Sequence, residues 1–381
     1  MQRHSIRNCL ICLAAAVLLL AAGPVRAQSA PPASDYQAKL AQYTQARSAY
    51  DAEASAYWDQ VAEKRRIRNA KRRANEPAQI GDYVLTQPPL YSGPPRPVDP
   101  DAPGPPPSER PPVPVVADFL KAAVEQFAFV PDRPQSELEF KRAYAKAASA
   151  AGLTKDQIVG VYAFETGGNG TYDMQSGVSP TRPNAISPAI GYNQLLSTNT
   201  VSILAEHGNQ LTALLRQKAK TLNGEAKQAM ERKIEAFRQM IALSRSVPQR
   251  WSHFDTLAKT TRGGWGVHAA ILDRDLGPPM QVQKLLTSVK FALTKGFTKP
   301  LTAAELELMN LTGDGNGIDM VTMPQALRAR VPTSNFFQQS GYERNPVARR
   351  TAVVAGLIAD IEGKMRSASQ LPGAKELAAA F

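Results

Sequence analysis

The chain has 381 residues, a formal net charge of +12 and two cysteines, Cys9 and Cys12. This length is ample for a well-packed globular domain of ordinary size. A disulfide framework or a thiolate metal site is excluded beyond residue 12 because no cysteine follows it.

The first residues have the pattern of a cleaved secretory signal. Arg3 and Arg7 precede an apolar run over 9–22, and Val25-Arg26-Ala27 provides a small-residue cleavage site. We therefore predict a signal peptide over 1–27 and a periplasmic or secreted protein. The run is too short for a membrane span and no later stretch is long and uncharged enough, so an integral membrane protein is not expected.

Residues 28–76 are predicted to form a helical arm. From Tyr36 to about Asn75 there is no proline or glycine, and tyrosines recur at 36, 43, 50 and 57. A coiled coil would use this stripe for self-association, but Arg47 interrupts the flanking row, which favours packing on the protein's own body. The basic run over 64–73 is interpreted as a solvated helix end that binds anionic envelope polymers weakly. No nucleic acid is expected as a partner.

Residues 77–114 contain fourteen prolines and are predicted to form an extended, partly polyproline II linker. Such a segment is either a spacer or a strap. The stretch "DYVLTQPPLY" over 82–91 has enough apolar residues to lie along a surface, and the sequence leaves the two alternatives open.

Residues 115–381 have apolar residues at helical spacing and no convincing strand pattern, so the fold class is mainly α. The predicted helices cover 118–129, 137–151, 155–166, 200–215, 225–243, 279–293 and 347–365.

The stretch "YAFETGG" over 162–168 places Glu165 at the end of an apolar helix face. Thr154 and Gln157 have capping-box spacing, and Gly167 suits a C-terminal cap, so the helix should run from Lys155 to Thr166. A carboxyl group on a buried stripe loses hydration, which raises its pKa toward the range of a general acid. The alternative is a glutamate that turns outward at the last helical turn.

A second motif, "SPAIGYNQLL" over 187–196, gives Glu165 a context. It resembles the G-A-x-G-L-M-Q-L pattern of the soluble lytic transglycosylase and lysozyme-like superfamily, in which a helix ends in glutamate and serine. Glu165-Thr166 is similar to that pair, Ala189 and Gly191 match the alanine and the second glycine, and 194–195 matches the closing glutamine and leucine. Pro188 replaces the first glycine and 192–193 replaces leucine-methionine, which indicates a divergent member.

The resemblance implies a lysozyme-like helical domain over 115–381 that cleaves the MurNAc-GlcNAc bond of peptidoglycan glycan strands without a cofactor or metal. Glu165 would be the catalytic acid. The substrate-binding residues would be Ser187, Tyr192, Asn193, Gln194 and Asn310, with the Tyr192 ring stacked on a sugar and the amides bonding acetamido or hydroxyl groups. Tyr192 packed beneath the loop is the structural alternative.

The stretch "NLTGDGNGID" over 310–319 has Ile318 where an EF-hand needs an oxygen ligand and no closing glutamate follows it, so it is interpreted as a tight polar turn. It also resembles the family's A-Y-N-A-G segment, with Asn310 and Gly313 as counterparts and Met309 in place of the tyrosine.

A two-carboxylate lysozyme would need a second acid, for which Asp173 and Glu206 are candidates. Neither matches an acid of the family pattern, so a lytic transglycosylase (a lyase that forms 1,6-anhydromuramyl products) is the preferred hypothesis. A non-catalytic peptidoglycan-binding envelope protein is the alternative from another class. His207, His253 and His268 have no ligand or triad spacing and are predicted to be structural.

Overall fold

The computed structural model describes residues 33–101, 112–179 and 181–381. The predicted signal peptide, the first residues of the arm and the middle of the proline-rich linker lie outside these ranges. The described chain is helical, as predicted, and its β-structure is limited to isolated bridges. None of the described helices is both long and apolar enough to cross a membrane.

Sixteen α-helices form in the described ranges, and their bounds follow in chain order. They are α1 (Ala33–Arg73), α2 (Val116–Phe127), α3 (Glu137–Ala150), α4 (Lys155–Thr166), α5 (Ser197–Ala219), α6 (Gly224–Ser244), α7 (Trp251–Thr260), α8 (Arg262–His268), α9 (Gly277–Thr294), α10 (Ala303–Thr312), α11 (Asp314–Val321), α12 (Gln325–Arg328), α13 (Gln339–Arg344), α14 (Pro346–Thr351), α15 (Val354–Ala368) and α16 (Pro372–Ala379).

The contacts divide the described chain into two compact units, and α1 contributes residues to both. The first unit holds 33–50 and 91–101, where Tyr43 and Tyr50 make edge-to-face contacts with Tyr91 at ring-centroid distances of 6.3 and 5.4 Å. The second unit holds 51–90 and all residues from 112 onward. The domain boundaries at 76 and 114 stay a prediction.

The second half of α1 packs on the body of the second unit. Tyr57 shares a buried 2.6 Å hydrogen bond with Ser334, and the Arg68 guanidinium, only 2% exposed, donates to the carbonyls of Asp82 and Asn335 at 2.8 Å each. Of the two alternatives for the arm, a coiled coil or packing on the protein's own body, this half adopts the second. The prediction of a solvated basic end is wrong for Arg68, whose guanidinium is buried and hydrogen-bonded inside the protein.

The first part of the proline-rich segment is a strap in this unit. Tyr83 and Val84 are buried. The Asn335 side chain bonds the Val84 backbone on both sides, accepting from its N–H at 2.9 Å and donating to its carbonyl at 2.8 Å. Asn335, 251 positions away, thus satisfies both backbone groups of Val84 as a neighbouring strand would.

Two predicted elements differ from the structure. The helix expected over 347–365 is broken between α14 and α15, because Ala352 adopts a left-handed φ of 58° and its carbonyl accepts the Thr333 N–H at 3.0 Å. The polar turn expected over 310–319 is a junction of two helices, since α10 ends at Thr312, Gly313 has a φ of 81°, and α11 starts at Asp314.

Helix α4 lies in the core of the second unit, in contact with α3, α10, α15 and α16. Ile158, Val161 and Tyr162 are each 0% exposed, so the apolar face predicted for this helix is buried. Helix α5 packs on α6, α7 and α8, and α2 packs on α8. Between α4 and α5 lies the long connection over 167–196, in which single bridges pair Gln175 with Ile190 and Ile190 with Leu195.

Candidate active site

Helix α4 begins and ends as its sequence predicts. The Thr154 hydroxyl accepts the Gln157 N–H at 3.2 Å while the Gln157 side chain accepts the Thr154 N–H at 2.8 Å, which completes the capping box. At the other end Gly167 takes a left-handed φ of 66°. Glu165 therefore lies in the last helical turn, where its side chain is partly exposed.

Helix α10 brings two polar side chains to Glu165. Glu307 and Asn310 are three residues apart and so share a helix face. The Asn310 amide donates to Glu165 Oε1 at 2.7 Å. Glu307 is 0% exposed and lies within hydrogen-bonding reach of Glu165. The site is therefore a pair of carboxyl groups, one buried and one partly exposed, with an amide donor beside them.

Burial dominates the electrostatics of this acid pair. Desolvation raises the pKa of Glu165 from 4.5 to about 7, against the opposing effects of the Glu307 hydrogen bond, the Lys284 ammonium and the Asn310 amide. Desolvation also raises the pKa of Glu307 well above 4.5, and the charge of Glu165 raises it further. Glu165 therefore ionises first, while Glu307 keeps its proton.

The contact between the two carboxyl groups requires that proton. In the described chain no N–H or hydroxyl group makes a hydrogen bond of standard geometry with either Glu307 oxygen. Two ionised carboxylates this close would repel each other in a site from which water is excluded. Protonation of Glu307 removes this repulsion and places a neutral carboxyl group, a possible donor, beside Glu165, which favours the charged form of Glu165.

Helix α9 connects the acid pair to the loop that carries the second motif. Lys284 supplies the positive charge near both carboxyl groups. One turn earlier, Gln281 Oε1 accepts the Asn193 N–H at 3.0 Å and the Gln281 carbonyl accepts the Asn193 side-chain amide at 2.8 Å. The loop over 187–196 is thus fixed to the same helix that carries Lys284.

The structure corrects the roles predicted for Tyr192 and Asn193. Tyr192 is 0% exposed, packs its ring at 4.9 Å from that of Tyr162 and donates its hydroxyl to Glu137. Asn193 is 1% exposed and accepts the Tyr144 hydroxyl at 2.8 Å. Neither side chain reaches a groove in this conformation, so sugar stacking by Tyr192 is wrong and its packing beneath the loop describes the position.

Ser187 and Gln194 remain at the surface of the loop and are partly exposed. The Ser187 hydroxyl accepts the Ala189 N–H at 3.2 Å. Gln194 has a left-handed φ of 41°, and its amide donates to the Gly191 carbonyl at 2.8 Å. Of the five residues predicted to bind substrate, Asn310 is the one that forms a hydrogen bond with Glu165. Ser187 and Gln194 remain accessible in the loop that follows α4.

His268 has a structural role in holding the loop. Its Nε2 donates to the Pro188 carbonyl at 2.9 Å, so its Nδ1 accepts from the Thr200 hydroxyl at 2.8 Å. Complete burial lowers the pKa of His268 from 6.5 to about 4, which keeps the ring neutral. The histidine thereby ties the residue before Ala189 to α5 and α8.

Asp173 and Glu206, the two acids considered as a second carboxylate, make contacts of their own with other residues. Asp173 forms an ion pair with Arg133 and accepts the Thr171 hydroxyl at 2.8 Å. It lines a groove of about 690 Å³ that also includes Thr166, next to Glu165 in the chain. Glu206 is exposed on α5, where it accepts the Ser202 hydroxyl at 2.9 Å. Neither takes the position that Glu307 occupies.

Glu307 and Lys284 were missed in the sequence. Glu307 lies in "AAELELMNLT", whose capping Thr302 and Glu305 do indicate a helix, but a single internal glutamate reads as a solvated residue. Its spacing of three from Asn310 was the available signal. Within the described ranges no cluster of histidine, cysteine, aspartate and glutamate side chains has the arrangement of a metal site.

Comparisons with known proteins give no relative for this chain: no protein-family model matches it, and neither a curated protein nor a solved structure does. The acid pair and the resemblance of the two motifs therefore carry the functional argument.

Proposed function

We propose that the protein cleaves a glycosidic bond of peptidoglycan and that Glu165 is its general acid. The observation that supports this most strongly is the setting of Glu165, partly exposed at the end of a buried helix beside the fully buried Glu307 and the Asn310 amide. Burial in this setting raises the pKa of Glu165 to about 7. A carboxyl group with a pKa near neutrality exchanges protons readily at the pH where it works, as general acid catalysis requires. Its partial exposure leaves it open to a substrate.

The residues around Glu165 suit the two halves of such a reaction. Protonated Glu165 donates to the leaving glycosidic oxygen, and the resulting carboxylate is stabilised by the Asn310 amide and the Glu307 hydroxyl. The same carboxylate then takes a proton from the attacking group. One exposed carboxyl group serves both steps while the buried one holds its proton.

The position of Glu307 favours the lytic transglycosylase over the two-carboxylate lysozyme. Hydrolysis through two carboxyl groups needs them on opposite sides of the sugar, roughly 5 to 9.5 Å apart. Glu307 is fully buried and in hydrogen-bonding reach of Glu165, so no sugar fits between them. With Asp173 neutralised by Arg133, the C6 hydroxyl of the muramyl residue becomes the attacking group and closes a 1,6-anhydro ring.

Peptidoglycan is proposed as substrate because Glu165-Thr166 and "SPAIGYNQLL" resemble the superfamily that acts on it. The fold adds a compatible arrangement, since the acid ends a buried helix and the second motif lies in the connection to the next helix. Burial of Tyr192 and Asn193 moves the binding role to Ser187, Gln194 and Asn310. A periplasmic or secreted location belongs to the same proposal.

The deciding experiment is digestion of murein sacculi by the wild-type protein and by Glu165→Gln. We expect 1,6-anhydromuropeptides, each one water lighter than the hydrolysed product, and a loss of at least about a hundredfold in the variant. Glu206→Gln is the matched control, because it makes the same chemical change at an exposed site. Binding of sacculi without digestion by the wild type would instead indicate the non-catalytic envelope protein.

Asp173→Asn separates the two enzymatic mechanisms. We expect it to leave the anhydro product almost unchanged because Asp173 is paired with Arg133. Reducing-end muramic acid as the main product, lost in Asp173→Asn, would establish a two-carboxylate lysozyme.

A further inference from the structure

An apolar groove of about 490 Å³ lies where α3, α5 and α9 meet, on residues that the acid pair does not use. Its walls are largely aliphatic and include Ala147, Ala150, Leu211, Leu214, Val282 and Leu286. Leu214 is 50% exposed. The volume falls within the roughly 300–1,000 Å³ of small-molecule sites. Apolar concave surface of this kind is costly to leave in water, which favours an occupant with an apolar body.

One polar side chain in the groove lacks a partner. Gln283 lines it and is only 8% exposed, yet its amide Nε2 makes no hydrogen bond with any described residue. An unpaired buried donor costs free energy, but this nitrogen has almost no accessible surface, so a ligand in the groove does not bond it in this conformation. The polar contacts that select a ligand must therefore come from the charged side chains that line the groove.

The charged side chains that line the groove are mainly cationic. Lys218 is paired with Asp275, and Arg274 is paired with Asp132 and with Glu139. Lys146 is exposed on α3 and has no ion-pair partner among the described residues. The ammonium of Lys146 is therefore available to an anionic group at the mouth of the groove.

We propose that this groove binds the single acyl chain of an anionic amphiphile, of the chemical class of a fatty acid, with its head group at Lys146. The aliphatic walls hold the chain, and the ammonium of Lys146 compensates the charge of the head group. The proposal is independent of the acid pair, since it requires neither Glu165 nor any reaction.

The probe is dodecanoate, titrated into the full chain by calorimetry below its micellar concentration. We expect saturable binding of one molecule. Decanoate should bind roughly fifteenfold more weakly, because each buried methylene strengthens binding about fourfold. Dodecyltrimethylammonium, with the same chain and a positive head, should bind at least tenfold more weakly. Equal binding of the two head groups would overturn the assignment of an anionic ligand.

The variants locate the site. Ala150→Phe places a ring in the groove and should weaken dodecanoate binding at least tenfold, whereas Ser149→Phe, at an adjacent exposed position of α3 outside the groove, should not. Lys146→Gln should weaken dodecanoate and leave dodecyltrimethylammonium no weaker. Absence of saturable binding, or equal effects of the two phenylalanine variants, would overturn the proposal.

Discussion

Glu307→Gln tests the protonated buried carboxyl group through the pH dependence of stability. In the unfolded chain Glu307 ionises near its ordinary value of 4.5, whereas burial raises its pKa well above that in the folded protein. A group with a raised folded-state pKa contributes stability that is complete below 4.5 and is lost as the pH rises through the folded value. Glutamine keeps the shape and an N–H donor for Glu165 but does not titrate.

The magnitude follows from linkage. Each such group lowers the free energy of unfolding by about 1.4 kcal/mol per pH unit between its unfolded and folded pKa values. Glu165, with its pKa moved from 4.5 to about 7, acts in the same direction over this window. Between pH 5.5 and 6.5 Glu165 should therefore cost the wild type about 1.2 kcal/mol, and Glu307 adds a loss in the same direction that Glu307→Gln removes.

Urea denaturation of the wild type, Glu307→Gln and Glu165→Gln at pH 5.5, 6.0 and 6.5 measures these slopes. Each single variant should gain stability relative to the wild type as the pH rises, by about 1.2 kcal/mol over that interval for Glu165→Gln and in the same direction for Glu307→Gln. Parallel stability curves for the wild type and Glu307→Gln would show that Glu307 is not held protonated, and the account of the acid pair would fail.

Three further substitutions give separate outcomes. Asn310→Ala removes a 2.7 Å hydrogen bond that favours the ionised form of Glu165 and should therefore raise the pKa of this acid. In the pH profile of sacculus digestion, the pH at which activity falls on the alkaline side, expected near 7, should rise by about one unit. An unchanged profile would contradict this. Arg68→Met leaves the Asp82 carbonyl without its donor and removes one of the two donors of the Asn335 carbonyl, the other being Arg65. It should lower the free energy of unfolding by about 2–4 kcal/mol, against less than about 0.5 kcal/mol for exposed Arg66→Met, and equal effects would refute this. His268→Gln should remove one contribution that opposes the acid pair: as the pH falls from 6.5 toward 4 the unfolded chain protonates this histidine while the buried ring stays neutral, which lowers the free energy of unfolding. The variant should therefore gain stability relative to the wild type between pH 7 and 5, and a constant difference between the two in denaturation experiments would refute this.

The sequence predicted those elements whose ends are defined by residues within the same segment. Helix α4 runs from Lys155 to Thr166 as expected because the capping box and Gly167 define both ends within the segment itself. The failures depend on distant residues. Ala352 breaks a continuous apolar pattern because its carbonyl accepts the N–H of Thr333, a pairing that no helical period encodes.

The candidate site shows the same division. Glu165 was recognisable because a charge on an apolar stripe is locally inconsistent, and such inconsistencies mark functional positions. Glu307 is recognisable as a site residue only from the packing of α10 against α4. Burial in that packing raises its pKa, and no residue near it in the sequence indicates this. The role of Tyr192 was mistaken because an aromatic residue beside polar ones suits a groove and a core equally, and its contact with Glu137 decided between them.

The contact between Arg68 and Asn335 also sets an order for folding. The two residues are 267 positions apart, so the second half of α1 has no acceptor there until most of the chain has been made. At about 5–20 residues per second, synthesis leaves that arginine without its partner for on the order of ten to fifty seconds. A contact this distant also carries a large loop-closure entropy, which slows its formation. Docking of the second half of α1 is therefore expected late in folding, after the segment that carries Asn335 is in place.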